Sequence, residues 1–244
     1  MQRLLFLLCL IALFSMAGAG FSNNIDGASD AKPAAAPPVE KDIALVLKTA
    51  GQVQINGSNG AWQNAPKGTR LNAGMQVRTG NESLAAIVFT DDKSLLKVRS
   101  NSQVAINGKR EASASAGGRI AKTIAMQFGE LWAKVTKGTA PFRVETPSGV
   151  AAVKGTIFYA IITDDGKFVI VCLDGLVELI NQFGKALVKA GETGISSPDQ
   201  APESHPTTPD EMPNWANDSE GNGDMEIEFQ DGNGQKKKLK IRYQ

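Results

Sequence analysis

An all-β fold is what this sequence predicts, and three observations carry the expectation. In 244 residues there are 25 glycines and 11 prolines, and those of the middle region fall too close together for helices of ordinary length. Between them stand short segments that alternate or run apolar for about four to seven residues and end in Gly, Asn or Asp, the chemistry of strands and turns. A hydrophobic content of 42% supplies ample material for a buried core, in one or two domains by length.

The first element is an export signal. Arg3 supplies a positive start, Leu4 to Phe14 an apolar run, and Ala17-Gly18-Ala19 a small-x-small site, so residues 1–19 are expected to be removed before Gly20, with cleavage after Ala17 as the alternative. The apolar run is short for a membrane span, and an uncleaved anchor is the second reading. Leu7 and Leu8 precede Cys9 where lipidation needs small residues, which argues against a lipid anchor. The mature chain is therefore expected in the periplasm or outside the cell, with no integral span. Arg3 is the only charge lost from 26 basic and 25 acidic residues, which leaves 25 of each. No global field remains to attract nucleic acid or anionic membrane. Cys172 is then the one cysteine, so no internal disulfide forms, and within FVIVCLDG it reads as a small core residue.

Residues 20–41 follow as an Ala/Pro-rich spacer that contains GASDAKPAAAPPVE, extended or flexible and with nothing to pack. From residue 42 to 195 the texture is that of an all-β domain: IALVLKTAGQVQING, GMQVRTG, SLAAIVFTDDKSLLKV, IAMQFGELWAKVTKG, TIFYAIITDDG, FVIVCLDGLVELIN and KALVKAGE. Helix competes only over Ser113 to Gln127, where the alanines favour it. Gly117-Gly118 splits that stretch and Ile120, Thr123 and Ile124 are β-branched, so it reads as a loop feeding a strand. Residues 196–222 are rich in Pro, Ser, Asn and acids and read as a linker with Trp215 as its large anchor.

Residues 223–244 predict a β-hairpin. With Gly232-Asn233-Gly234 as its loop, Glu228 faces Lys238, Glu226 faces Lys240 and Asp224 faces Arg242, while Ile227 and Met225 fall opposite Leu239 and Ile241. A slip of one residue would set carboxylates against apolar partners, so charge and hydrophobicity choose the same register. The basic run KKKLKIR is compensated by its acidic sister strand, which makes anion binding the lesser reading.

Candidate chemistry is sparse. His205, the only histidine, lies in the linker between Ser204 and Pro206, which excludes a classical catalytic triad, and one His with one Cys cannot supply a zinc set. Paired carboxylates stand at Asp91-Asp92 and Asp164-Asp165, each after a threonine at the end of an apolar strand, where Asp serves turn geometry and backbone donors. The opposing reading makes Asp91 or Asp164 a glycosidase carboxylate. No further oxygen ligands stand in the pattern calcium needs at either pair. The aromatics Trp62, Trp132, Phe128, Phe142, Phe158 and Tyr159 are the candidates for a sugar-stacking platform, against which Trp132 in GELWAKV is expected to serve burial. Trp62, read as lying in the polar turn NGAWQNAPKG and so as exposed, is the candidate binding surface, able to stack a sugar ring. VETPSGVAAVKGTIFYAI has glycines around a lysine, but Lys154 leads into a strand and no helix N-terminus follows to hold phosphate. It builds fold.

The succession GAW, KGTRLNAGMQVRTGNESLAAIVFTDDKSLLKV, GELWAKV, FRVETPSGVAAVKGTIFYAI and VCLDGLVELIN resembles the FecR domain over about Gly51 to Thr193. Its most specific residues are Thr146, Pro147, Gly155, Thr156, Phe158, Asp174, Gly175 and Gly191, read as structural. The resemblance implies a twisted β-solenoid-like or β-roll module of short strands outside the cytoplasmic membrane that binds other proteins. In full-length sensors it relays the state of an outer-membrane transporter to a cytoplasmic sigma factor. No anti-sigma region precedes the apolar segment of this sequence, and a hairpin stands where a βαβ signaling module is expected. Lys93 replaces the glycine of the family's Asp-Gly-Ser, which predicts a turn of different shape. A non-enzymatic envelope binding or scaffold protein without catalytic residues, cofactor or metal is the resulting expectation, its partner an envelope protein. A peptidoglycan- or glycan-binding module is the alternative, and a glycoside hydrolase the third reading.

Overall fold

The computed structural model describes residues 39–57, 60–111, 119–138 and 140–214, and the backbone of residues 223–230 and 236–243. The expected signal peptide, most of the spacer, Cys9, Trp215, the Gly117-Gly118 loop and the hairpin loop lie outside the described residues. Every regular element among the described residues is a strand. The first nine are β1 (Ala44–Ala50), β2 (Val53–Asn56), β3 (Trp62–Asn64), β4 (Arg70–Leu71), β5 (Met75–Thr79), β6 (Leu84–Phe89), β7 (Leu95–Val98), β8 (Gln103–Arg110) and β9 (Ile120–Lys134). Eight more follow in the same body: β10 (Phe142–Thr146), β11 (Gly149–Val153), β12 (Ile157–Ile162), β13 (Phe168–Asp174), β14 (Leu176–Asn181), β15 (Gly184–Lys189), β16 (Glu192–Ser196) and β17 (Glu203–Pro206). A separate antiparallel pair is formed by β18 (Gly223–Gln230) and β19 (Lys236–Tyr243).

The 17 strands of the main body form one mixed, open sheet folded into two layers. Layer A runs β4-β1-β6-β7-β9-β12-β13-β16-β17. Layer B runs β3-β2-β5-β8-β9-β10-β11-β14-β15. The parallel pairing is that of β9 with β10. After β9 the chain steps between layers in hairpins: β10-β11 in B, β12-β13 in A, β14-β15 in B, β16-β17 in A.

Alternation along each strand decides what enters the core. Val144, Ala151, Val177 and Leu179 from B meet Ile87, Leu96, Phe158, Ile170 and Cys172 from A in one buried cluster. Removing such apolar area from water contributes about 25 cal/mol per Å². Phe89 and Phe142 cross the interface edge to face, ring centroids 5.9 Å apart.

Strand β9 belongs to both layers. Its first half pairs with β8 and β10, its second with β7 and β12. The corner is Gly129, at φ +94°, where a Cβ would stand 2.6 Å from the Cα of Ser102. The inward set changes just before it, at the bulged Gln127 that stands between the partners of Val104 and Gln103, from even positions (Ile120, Lys122, Ile124, Met126) to odd ones (Leu131, Ala133). Trp132 is thereby turned out of the expected core onto the outer face of layer A, half-buried, with Lys97 Nζ 5.2 Å from its ring centroid.

Part of the stretch expected as a linker pairs instead: β17 adds to β16, with Thr193 opposite His205. Beyond it residues 207–214 cross the outer face of layer A. Thr207 bonds to Thr193 and Gly191 at one end, and Asn214 O accepts from Arg99 Nη2 at 2.8 Å at the other. Val171, which points away from the core, is buried. In the hairpin, the backbone register is the expected one, Glu228 opposite Lys238, Glu226 opposite Lys240 and Asp224 opposite Arg242.

Candidate functional site

Two places concentrate polar chemistry. The first is the outer face of layer B, where alternation presents Gln54 and Asn56 of β2, Trp62 of β3, Gln76 and Arg78 of β5, and Gln103 of β8. Arg78 ties the face together. Its guanidinium carbon lies 4.1 Å from the Trp62 ring centroid and its Nε donates to Gln54 Oε1 at 2.8 Å. Gln103 Nε2 donates to Gln127 Oε1 at 2.6 Å and to Gln76 Oε1 at 3.3 Å. Asn56 Oδ1, on the residue paired with Trp62, is buried and has no hydrogen-bond partner. Trp62 thus begins a strand rather than lying in a turn, half-buried, with one ring face occupied by Arg78. A cation held over an indole and a row of amides make a surface suited to hydrogen-bonding partners.

The second place is buried. Asp91 and Asp92, in the β6–β7 turn of layer A, both reach Lys122 of β9 in layer B, with Nζ 2.8 Å from Asp91 Oδ2 and 2.6 Å from Asp92 Oδ2. The lysine side chain is 0% exposed and the two aspartates 4% and 7%, so neither carboxylate is offered to a saccharide. The turn reading holds in part: Asp92 Oδ1 accepts the Ser94 N–H at 2.8 Å, and Asp91 Oδ2 accepts the N–H of Ile120 at 2.9 Å, across the interface. Lys122 was not among the sequence candidates. The signal for it was a lysine at an inward position of the alternating run Ile120, Lys122, Ile124, Met126.

The other pair behaves as a turn. Thr163 Oγ1 donates to Asp165, and Lys167 Nζ lies 2.7 Å from Asp165 Oδ2; the lysine bond and then the threonine hold that carboxyl at about 2, below its usual range. Asp164 is exposed. His205 Nε2 meets Glu211 Oε1 at 2.7 Å. Burial, and next the nearby Asp174 charge, push the Cys172 thiol up to about 11, which suits an inert core residue. Among the described residues no group of three or more His, Cys, Asp and Glu is placed to hold a metal, and no helix is long and apolar enough to cross a membrane.

Most of the residues singled out by the resemblance sit at the crossings between layers, and Thr146 and Pro147 sit in the β10–β11 turn of layer B. Thr146 Oγ1 donates to Gly149 O across the Pro147-Ser148 turn. Gly155 and Gly175, at φ +68° and +89°, are the points where the chain passes from B to A and from A to B. They abut: a Cβ on Gly175 would stand 2.8 Å from Gly155 O, and the buried Thr156 donates from Oγ1 to Leu176 O at 3.0 Å. Phe158 lies in the core, Asp174 ends β13, and Gly191 at φ +81° donates its N–H to Cys172 O. At the remaining motif position Lys93 takes φ +64°, in the left-handed backbone region that favours glycine.

A family model described as "FecR protein" matches residues 75–178. No curated protein matches the sequence. Two crystal structures of a provisionally assigned anti-sigma factor from Parabacteroides distasonis ATCC 8503 align with TM-score 0.43 and 13% identity, covering 54% of this chain and 59% of that one. The alignment spans less than two thirds of that protein's length.

Proposed function

We propose that this chain is an exported, non-enzymatic binding protein of a two-membrane bacterial envelope, acting in envelope signaling through contacts with other proteins. The match of residues 75–178 to the FecR family carries the reading. The outer face of layer B supports it, since β3 is the outermost strand of that layer and a partner strand adds to such an edge through main-chain hydrogen bonds. The stepping of hairpins between layers is read as a solenoid-like, β-roll winding, which leaves the outer face of B continuous across successive hairpins. The second reading, a module for wall glycan, draws on Trp62 and Arg78, which together offer a ring and a cation to a hydroxylated ligand.

The test uses the mature chain and a Trp62→Ala/Arg78→Ala variant as bait in envelope extract, with retained proteins and glycans identified by mass spectrometry. The expected result is one defined protein held by the native chain and weakened by about tenfold or more in the variant, the size of a hot-spot loss. Retention of peptidoglycan fragments alone moves the assignment to the glycan reading. Equal retention of the same protein by both baits removes this face from recognition.

A further inference from the structure

A buried amine held against two buried carboxyls is the arrangement from which an amide forms. Lys122 Nζ lies 2.8 Å from Asp91 Oδ2, 2.6 Å from Asp92 Oδ2 and 3.2 Å from Ile120 O, with the Phe89 ring centroid 5.3 Å away. One lysine cannot neutralise two aspartates, so an ionised cluster keeps a net negative charge out of water. Desolvation of such a cluster is costly, and it disfavours the ion pair relative to a neutral bond between the same atoms. Fixed proximity replaces the encounter that makes condensation of a free amine and acid unfavourable in water.

The two aspartates are not equivalent. Asp91 Oδ2 accepts the Ile120 N–H at 2.9 Å, whereas Asp91 Oδ1 is buried and has no hydrogen-bond partner. Asp92 is anchored through Oδ1 to the Ser94 N–H at 2.8 Å and turns its other oxygen to the amine. We propose that Lys122 and Asp91 condense spontaneously in the folded chain into an intramolecular isopeptide bond, with Asp92 as the proton carrier.

In the step, Asp92 Oδ2 takes a proton from the ammonium and the freed Nζ lone pair attacks Cγ of Asp91. Asp92 hands that first proton to Oδ1, takes a second from the nitrogen of the tetrahedral intermediate and delivers it to the same oxygen. The Cγ–Oδ1 bond breaks and one water leaves. Oδ2 becomes the amide carbonyl and keeps the Ile120 N–H, while the amide N–H donates to Asp92. Ammonium and carboxylate give amide and water, so charge and atoms balance without an oxidant or an activated co-reactant. Oδ1 is the oxygen whose departure breaks no hydrogen bond. The product ties the β6–β7 turn of layer A to β9 of layer B, a covalent staple in a protein whose single mature cysteine leaves it no internal disulfide.

Intact-mass spectrometry of the purified mature chain tests the inference. The expected mass is about 18 Da, one water, below that of the linear sequence, and tandem spectra of a digest join the Asp91 peptide to the Lys122 peptide. The joined peptide matters, because succinimide formation at Asp165-Gly166 or Asp174-Gly175 loses the same water without joining two peptides. Asp92→Asn, with an unchanged circular dichroism spectrum, is expected to restore the full mass or slow the loss by about a hundredfold, the scale of a removed acid–base group. Full mass in the folded native chain, with Lys122 labelled by an amine reagent after denaturation, overturns the proposal and leaves a buried ion pair. A bond mapped to Asp92 in place of Asp91 overturns the assignment of roles. Unaltered condensation in Asp92→Asn removes Asp92 as proton carrier.

Discussion

Lys93 occupies a position that its side chain does not favour. Its φ of +64° lies in the left-handed region, which costs an L-residue about 1–2 kcal/mol. Glycine there relieves that strain and gives back about 0.5–1 kcal/mol in chain entropy, so Lys93→Gly is expected to stabilise the protein by about 0.5 kcal/mol in urea unfolding. A loss of stability would mean that the exposed bond from Lys93 Nζ to Thr90 O, at 3.0 Å, outweighs the strain. The motif pointed to the position, since Asp92-Lys93-Ser94 stands where the family has Asp-Gly-Ser. It did not reveal the conformation, because the neighbours hold the turn: Asp92 is bonded to Lys122 and to the Ser94 N–H, and Thr136 Oγ1 donates to Asp92 O at 2.8 Å.

Among elements, the segment after β17 shows how far polar composition misleads. Residues 203–214 contain prolines and acids that read as linker, yet backbone pairing with β16 and a few side-chain bonds hold them across layer A. Glu211 is one of the ties. Its Oε2 accepts the Thr208 N–H at 2.9 Å and its Oε1 meets His205, and the backbone bond foremost holds its carboxyl at about 2 against an ordinary 4.5. A lowered carboxyl favours the ionised, folded form, so its contribution is full above pH 4.5 and is lost as pH falls through about 2. The Thr208 amide resonance should therefore titrate with a midpoint near 2 and cease to titrate in Glu211→Gln. A midpoint near 4.5 would show that this tie is not formed in solution. The terminal hairpin is the opposite case. Its register was readable because cross-strand charge and apolar pairs repeat with the period of the strand itself.

At the scale of the whole molecule, β9 makes two layers into one structure. Lys122 in its first half is joined to Asp91 and Asp92 of layer A, and its second half is itself part of layer A. Gly129 between them carries both a positive φ and a contact that admits no Cβ, with Ser102 Cβ and Cα at 2.5 and 2.6 Å from the position it would take. Gly129→Ala should cost about 3 kcal/mol from backbone strain and crowding together, read as a lower denaturant midpoint. A cost below about 0.5 kcal/mol would contradict the corner as described. Gly74, at φ +85° with nothing within 4 Å of a Cβ, is the control: its alanine variant meets strain alone and should lose less.

Local chemistry alone determined the all-β class, the succession of short strands, the placement of turns, the inward position of Cys172 and the register of the hairpin, since each depends on a period of two and on residues adjacent in the chain. Family likeness added the motif residues but not the reason for Gly155 and Gly175, which touch where the chain changes layers. The face taken by Trp132, the partners of Lys122, the stacking of Arg78 on Trp62 and the course of residues 207–214 were decided by tertiary structure. A single change of parity at the Gln127 bulge exchanges the inside and outside of every later residue in β9, and the neighbours of Lys122 and Arg78 come from segments distant in the chain.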